Sequence, residues 1–440
     1  MNDNNIFIFE FVSGGGFNQI DIPPHLFSEA FGMLRGIIAD FKIMNFQITT
    51  TLDYRIHSLS RYLKADQVFK IGKHDNYLTK FEKGMEECGL CFIIAPEFSN
   101  ILHDLTKIAI NKKKKILSVE LNGIRVGTSK IETFNLFIKN KLPTPQTFLI
   151  PFKKNKLDKE FIIKNVAKVN FPIVIKPLDG VGAESIFYFE HYDYLNLFFQ
   201  EYENYIEPGR NYILQKFIKG SNLSASLIGA RKTERTDYRN FNIISINSQN
   251  IFLKDFEKES EYLGGITPAN DHRIIIENLR DYIKNIDLDI DGYFGIDFIR
   301  TNQNKLHFIE INPRLTTSYL GVRNILEKNP AEMIYESKIN NINYNNVKIS
   351  FHSIFGRFDL KYIGEASKDN IYETIIPKIL DKIPEIITPP ISLTESTSID
   401  KNVFSCFIST KTKTLDASKK RLNDIKDILR DYNFHGFECD

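Results

Sequence analysis

Apolar and polar positions along the first part of the chain switch between two periods. Residues 6–12, IFIFEFV, form an apolar, β-prone run that ends in Ser13-Gly14-Gly15-Gly16, the pattern of a strand running into a glycine turn. Between 25 and 42 the apolar positions Leu26, Phe27, Ala30, Leu34, Ile37, Ile38 and Phe41 recur at helical spacing, predicting an amphipathic helix. FQITTTLD and CGLCFIIAPEF then read as strands, ILHDLTKIAINK as a helix and KILSVEL as a returning strand. This alternation predicts a small parallel sheet with helices on its faces over residues 1–125.

The pattern changes after residue 126. A helix, SKIETFNLFIKNKL, stops at Pro143 and Pro145, and paired strands then flank turns at 171–190 and at 212–229. Residues 241–253 are strand-like, 272–285 helical, and DGYFGIDFIR and KLHFIEINPR form a last pair. These segments divide into 126–210 and 211–335. An Asn-rich connector is expected over 335–350, opening a β-rich segment, 336–440, of short strands, prolines and a closing helix, DASKKRLNDIKDILRDY.

Composition narrows the function classes. The chain has 440 residues, 42% hydrophobic and 25% charged, the balance of an ordinary globular protein. Its 57 basic and 55 acidic residues nearly cancel, which argues against a nucleic-acid binder. No apolar run approaches the roughly 18–20 residues that cross a bilayer, and the first residues lack the form of a signal peptide. Four cysteines make no disulfide framework, so a cytoplasmic location is expected. Cys88-x-x-Cys91 lacks a second pair or a histidine cluster to complete a zinc site and reads as core thiols. Lys112–Lys115 reads as a solvated helix end, the histidines show no ligand spacing, and Asp53-Tyr54-Arg55 reads as a loop ion pair.

Candidate chemistry collects in GIDFIRTNQNKLHFIEIN. As a hairpin turning at Thr301–Lys305, it puts Asp297, Glu310 and Asn312 on one face by the period of two, with Ile296, Phe298, Ile309 and Ile311 on the other. Either the polar face is simply solvated, or two carboxylates and an amide oxygen form a hard-oxygen site suited to Mg²⁺. Upstream, Lys176 ends an apolar strand and needs a partner or a phosphate. Gly180 and Gly182 follow in a loop where backbone amides can approach phosphates. Gln215-Lys216 and Phe217 make a strand with the polar-then-apolar character that suits an adenine edge.

This ordered series resembles the ATP-grasp superfamily, in which two α+β subdomains close on ATP. The resemblance covers about residues 1–335 and implies an N-terminal parallel α/β domain, two ATP-grasp subdomains and a small β-rich C-terminal domain. It places metal ligands at Asp297, Glu310 and Asn312, a first ATP-contacting lysine at Lys130, and the cofactors ATP and Mg²⁺, with Mn²⁺ as a substitute. Where many members carry an acidic ribose ligand, this chain has Asn222. Within the superfamily, FEFVSGGG, IIAPE and EINPRLTTSYLG resemble the tyramine–glutamate ligases of methanofuran-type cofactor synthesis. That likeness implies an acid–amine ligase acting through an acyl phosphate on small-molecule amino-acid and amine substrates, with Arg314 as the catalytic cation. Thr316, Thr317 and Ser318 would orient a substrate carboxylate, and the Ser13–Gly16 turn either binds another through its amides or is a plain tight turn. An ATP-grasp ligase for a different pair and a non-catalytic ATP-binding protein are the alternatives. No nucleic acid or membrane enters this reading, and a homodimer is compatible with it.

Overall fold

A strand with Ile6, Phe7, Ile8 and Phe9 all fully buried must be covered on both faces, and a parallel sheet with helices on each side is the arrangement that does this. In the computed structural model, β1 (Asn2–Glu10) is the middle of a five-stranded sheet ordered β3-β2-β1-β4-β5, all parallel. Its other strands are β2 (Gln47–Asp53), β3 (Gln67–Ile71), β4 (Cys88–Ile94) and β5 (Lys115–Ile116). The structure describes every residue except 1, 23, 154, 181–184, 203–205, 208, 231–240, 254–259, 285, 345, 393–402 and 437–440. Ile6 and Ile8 pack with Phe27, Leu34, Ile37 and Phe41 of α1 (Pro24–Ile43). Phe7 and Phe9 pack with Phe81 of α2 (Tyr77–Gly84) and with Leu102 and Leu105 of α3 (Ile101–Asn111). The expected strand KILSVEL is much shorter. After Leu117 donates to the Cys91 carbonyl, the Ser118 hydroxyl takes the Ile93 amide in place of a backbone carbonyl, and a helix opens at Leu121.

Two antiparallel four-stranded sheets follow. The first is ordered Phe187–Phe189, Ile173–Pro177, Tyr212–Lys216, Thr147–Ile150 and shares a core with the helix Lys159–Val169. The second is ordered Phe241–Ser248, Ser221–Gly229, Gly292–Arg300, Leu306–Asn312. Its inner face, with Leu223, Ala225, Leu227, Ile246, Phe294 and Ile296, belongs to the same core as Phe7 and Phe81 of the parallel domain.

The C-terminal sheet recruits a strand from far upstream. Gly264–Thr267 pairs with Ser353–Tyr362, followed by Val403–Ser409 and Ile386–Ile391, and Phe434–His435 adds to Ser353–Tyr362. The expected connector over 335–350 begins as a helix, Pro330–Asn340, capped by Asn329 with Pro330 in its first turn. The asparagines responsible for that expectation start at its end, where Asn341 adopts the left-handed conformation of a helix stop. Among the described residues no helix is long and apolar enough to cross a membrane.

Candidate active site

The hairpin Gly292–Arg300/Leu306–Asn312 sets Asp297 directly opposite Glu310 and Gly295 opposite Asn312. Thr301 closes the turn by donating to the Lys305 carbonyl at 3.0 Å. The pairing then slips by one residue between Asp297 and Phe298, leaving Ile309 as an extra residue. This bulge matters to the site. Leu306, Phe308 and Ile311 all face the core; strict alternation would have put Glu310 on the face of Phe308. The expected inward set is therefore right for Ile296, Phe298 and Ile311 and wrong for Ile309, which is half-buried and outside the core clusters.

Two lysines from the neighbouring sheet region converge on this face. Lys130 opens the helix Lys130–Lys139; its Nζ lies 3.5 Å from Glu310 Oε2 and 3.4 Å from the Gly180 carbonyl oxygen. Lys176, in the strand Ile173–Pro177, is 6% exposed. Burial lowers its pKa to about 8, against the pull of Glu310 and with a further push from Lys130. Burial and the Glu310 charge raise the Asp297 carboxyl to about 7, although Asn312 and Gln249 hydrogen-bond to it. For Glu310 burial works upward, but Lys130 and Lys176 outweigh it and hold the carboxyl below its ordinary range. Two half-buried carboxylates thus share one field, in which Asp297 is the weaker acid.

Asp297 accepts from Gln249 Nε2 at 3.1 Å and from Asn312 Nδ2 at 3.0 Å. Gln249 also bonds the Asn222 carbonyl through its backbone amide, tying two candidate residues together. It was missed in the sequence. Its signal is the alternation of Ser245, Asn247 and Gln249, polar at every second position and running onto the face of Asp297. A buried polar network continues from there. Asn247 donates to Ser224 at 3.2 Å and Ser226 at 3.0 Å, and accepts from Ser245 at 2.7 Å and Thr267 at 2.8 Å. Tyr293 donates to Ser226, and Ser318 pairs with Thr316 at 2.8 Å.

Two hard carboxylates and an amide in register fit a divalent cation, which would relieve the like-charge pair. Among the described residues no group of three or more His, Cys, Asp or Glu gathers to hold a metal; here the third donor is an amide.

The remaining candidates are spread around this centre. Gly180 has φ 141°, and a Cβ there would stand 2.7 Å from Arg210 Nη2, which donates to the Asp179 carbonyl. Gly182 lies outside the described residues. Gln215 is buried and donates to Thr147 Oγ1 at 2.8 Å. The Lys216 ammonium reaches the carbonyls of Asn170 and Phe171, each at 3.0 Å, closing a helix end and turned away from Lys176. Phe217 meets Tyr188 edge-on at 4.9 Å. Asn222 pairs with Ile299 in the central sheet. Arg314 Nε bonds Glu97 Oε1 at 2.9 Å and its Nη1 bonds the Leu315 carbonyl, so it is clamped against the end of β4. Asp53 and Arg55 form a loop ion pair with two 2.8 Å contacts, as expected. The Ser13–Gly16 turn is the plain tight turn of the two alternatives. The amides of Ser13, Gly14, Gly15 and Gly16 bond Glu10 and the Val12 and Phe11 carbonyls within the turn, which leaves no ready amide nest for a carboxylate. Cys88 and Cys91 are buried free thiols in the core.

Two antiparallel four-stranded sheets beside a parallel domain are an ATP-grasp arrangement, and comparison with known proteins agrees. The ATP-grasp domain model matches residues 128–318, and a pre ATP-grasp 3 domain model matches residues 46–124. The tyramine–L-glutamate ligase of Methanocaldococcus jannaschii is 29% identical over 64% of this chain and 72% of the relative. That of Methanocaldococcus fervens is 30% identical over 60% of this chain and 69% of the relative. Among solved structures, the biotin carboxylase domain dimer of the Hydrogenobacter thermophilus 2-oxoglutarate carboxylase, with MgADP, ADP and bicarbonate, superimposes with a TM-score of 0.64. It is 14% identical and covers 96% of this chain and 89% of that one. The chain belongs to the ATP-grasp family; it is an ATP-binding ligase of the kind that forms carbon–nitrogen bonds.

Proposed function

We propose that the chain joins a carboxylic acid to an amine through an acyl phosphate, with glutamate and tyramine as the pair, in the synthesis of a methanofuran-type cofactor. The observation that carries the reading is the register of Asp297 on Glu310 with Lys130 at 3.5 Å: charged groups of both signs converge where phosphates and a cation must be held together. Likeness to the two Methanocaldococcus ligases supports the choice of substrates.

A carboxylate is a poor electrophile. Its oxygen attacks the γ-phosphorus of ATP, ADP leaves, and the acyl phosphate is then attacked by the amine nitrogen. Phosphate departs, the nitrogen loses its proton, and an amide remains. Such transfer is catalysed mainly by positioning and charge neutralisation. Asp297, Glu310 and Asn312 would hold Mg²⁺, or Mn²⁺ in its place, which would supply charge neutralisation at the phosphates. Lys130 and Lys176 bind phosphate oxygens, beside the Gly180 carbonyl that Lys130 reaches. Gln215, Lys216 and Phe217 stand beside the adenine at the end of the strand Tyr212–Lys216, and Asn222 takes a ribose hydroxyl. Arg314, held in place by Glu97, stabilises the transferring phosphoryl group and then the oxyanion. Thr316, Thr317 and Ser318 orient the substrate carboxylate. Pairing of two copies follows the dimeric carboxylase neighbour, and buried free thiols suit a reducing cytoplasm.

The test is a substrate matrix: purified protein, ATP and Mg²⁺ with pairs of amino acids and amines, ADP release being followed. Release that requires both glutamate and tyramine is expected. Release with other pairs and none with this one overturns the substrate assignment.

A further inference from the structure

The parallel sheet has a switch point that the phosphate chemistry does not use. From β1 the chain steps outward through β2 to β3, then returns to the other side of β1 to lay down β4 and β5. α1 follows β1 onto one face, and α3 follows β4 onto the other. In an open parallel sheet the loops leaving such a pair of strands part at the carboxyl ends and open a ligand crevice. Here the pair stays in register to its last residues, Glu10 opposite Ile94, and the Phe11 amide donates to the Ile94 carbonyl at 2.8 Å. Glu10 ends one strand, and Glu97 stands three residues past the end of the other.

The two carboxylates are finished differently. Glu10 accepts from the Ser13 amide and hydroxyl and from the Val12 amide. Glu97, 4% exposed, accepts from Arg314 Nε through Oε1 at 2.9 Å. Arginine commonly meets a carboxylate with two parallel bonds, but Arg314 turns its Nη1 to the Leu315 carbonyl at 3.2 Å. Glu97 Oε2 is left buried with no donor among the described residues. A buried carboxylate oxygen without a donor is costly unless a ligand supplies one. Phe98, the next residue, stacks on Phe17 from the turn after β1, with ring centres 6.4 Å apart and planes 12° from parallel. Both rings are half-buried, so an aromatic pair bridges the two loops that flank the crevice. Arg314 follows Asn312 by two residues, at most about 7 Å along the chain, which sets this corner next to the Asp297–Glu310 centre.

We propose that Glu97 Oε2 is the acceptor for the primary ammonium of a substrate, whose apolar part lies along Phe17 and Phe98. An ammonium brings three donors and a positive charge, the complement of this oxygen. The aromatic pair favours the amine, tyramine, through its ring; glutamate, which carries the same group, is the other source. The proposal rests on the ligase reading and deepens it. One carboxylate holds Arg314 through one oxygen and the ammonium through the other, so the substrate nitrogen is kept beside the cation that steadies the acyl phosphate.

Titration calorimetry of the full chain tests it with two pairs of compounds. Tyramine is compared with tyrosol, in which a hydroxyl replaces the ammonium, and glutamate with 2-hydroxyglutarate. Each is added to the unaltered chain and to Glu97→Gln, which keeps the oxygen that Arg314 bonds and replaces the other by an amide nitrogen. The unaltered chain should bind tyramine roughly tenfold or more tighter than tyrosol, the scale of a charged hydrogen bond. In Glu97→Gln, folded as shown by an equal melting temperature, that preference should vanish while tyrosol binds as before. A preference lost from the glutamate pair alone upholds the acceptor and assigns it to the acid. Both preferences kept in Glu97→Gln, as a role confined to holding Arg314 requires, overturn the proposal. So does the absence of either preference in the unaltered chain, a result that needs no variant to fold. Binding is read here and ADP release in the substrate matrix, so failure of the acceptor and failure of the ligase assignment are separate results.

Discussion

Asp40 and Asp297 are both aspartates on regular elements, yet their surroundings differ in kind. Asp40, 4% exposed on α1, accepts from Tyr319 OH at 2.7 Å and from Arg323 through both Nε and Nη2, while its backbone carbonyl takes the Asn329 amide. Burial alone would lower the Arg323 pKa, but Asp40 outweighs it and holds the guanidinium charged. Every charge there has a fitted counterpart, and the group locks α1 to the helix Tyr319–Ile325. Asp297 instead shares its space with a second carboxylate, and its nearest donors are two amides. Lys176 is likewise only partly compensated. A buried pair completed within the fold serves the fold; buried charges left short of partners await a ligand.

The largest effect tests that division at its functional side. Glu310→Gln removes one ligand and the partner of Lys130. ADP release should fall roughly 1,000-fold, about 4 kcal/mol of barrier, while the melting temperature stays within a few degrees. Unchanged turnover would remove the site assignment. Asp40→Ala should do the opposite. It strands Arg323 in a buried setting, so denaturant unfolding should show a loss of at least about 3 kcal/mol, with turnover per folded molecule preserved. If both variants lose stability equally, the contrast between the two aspartates is void.

A smaller effect sharpens the same point from the cation. Lys176→Met replaces a buried ammonium with an apolar chain of similar length. The KM for ATP should rise roughly thirtyfold, about 2 kcal/mol for a lost charged contact, with stability equal or higher. A large drop in stability would make Lys176 a structural ion like Arg323.

How much of this was readable in the sequence depends on range. The parallel domain and the hairpin were readable because their signals are local: continuous apolar strands, a helical repeat over 25–42, and an Asn-rich turn at 301–305. Asp297, Glu310 and Asn312 were readable by alternation, but the Ile309 bulge that keeps Glu310 off the core face was not. Whether one strand carries an extra residue depends on its partner, and nothing in KLHFIEIN marks it. The pairing of Gly264–Thr267 with a strand about 90 residues later was hidden for the same reason. Gln249 lay inside the expected strand 241–253, but its approach to Asp297 depends on how that strand pairs across the sheet, and the internally satisfied Ser13–Gly16 turn followed from Glu10 folding back onto it.

Glu10 offers the finest test, because it is a third buried carboxylate and belongs to neither kind. It is 3% exposed at the end of β1 and accepts from the Ser13 amide at 2.7 Å, the Ser13 hydroxyl at 2.6 Å and the Val12 amide at 3.3 Å. Burial nevertheless raises its pKa to about 7, the hydrogen bonds and the Arg314 charge offsetting this only in part. With the folded value above the unfolded one, the native state binds more protons between about pH 4.5 and 7. Stability should therefore fall as pH rises through that window and level off above it. Glu10→Gln keeps the shape and removes the titration. Between pH 6 and 8 the unaltered chain should lose about 1.4 kcal/mol relative to the variant, read by urea unfolding at each pH. Parallel curves would show that the donors of the turn fully replace water around this carboxylate, and Glu10 would then join Asp40 among the completed groups.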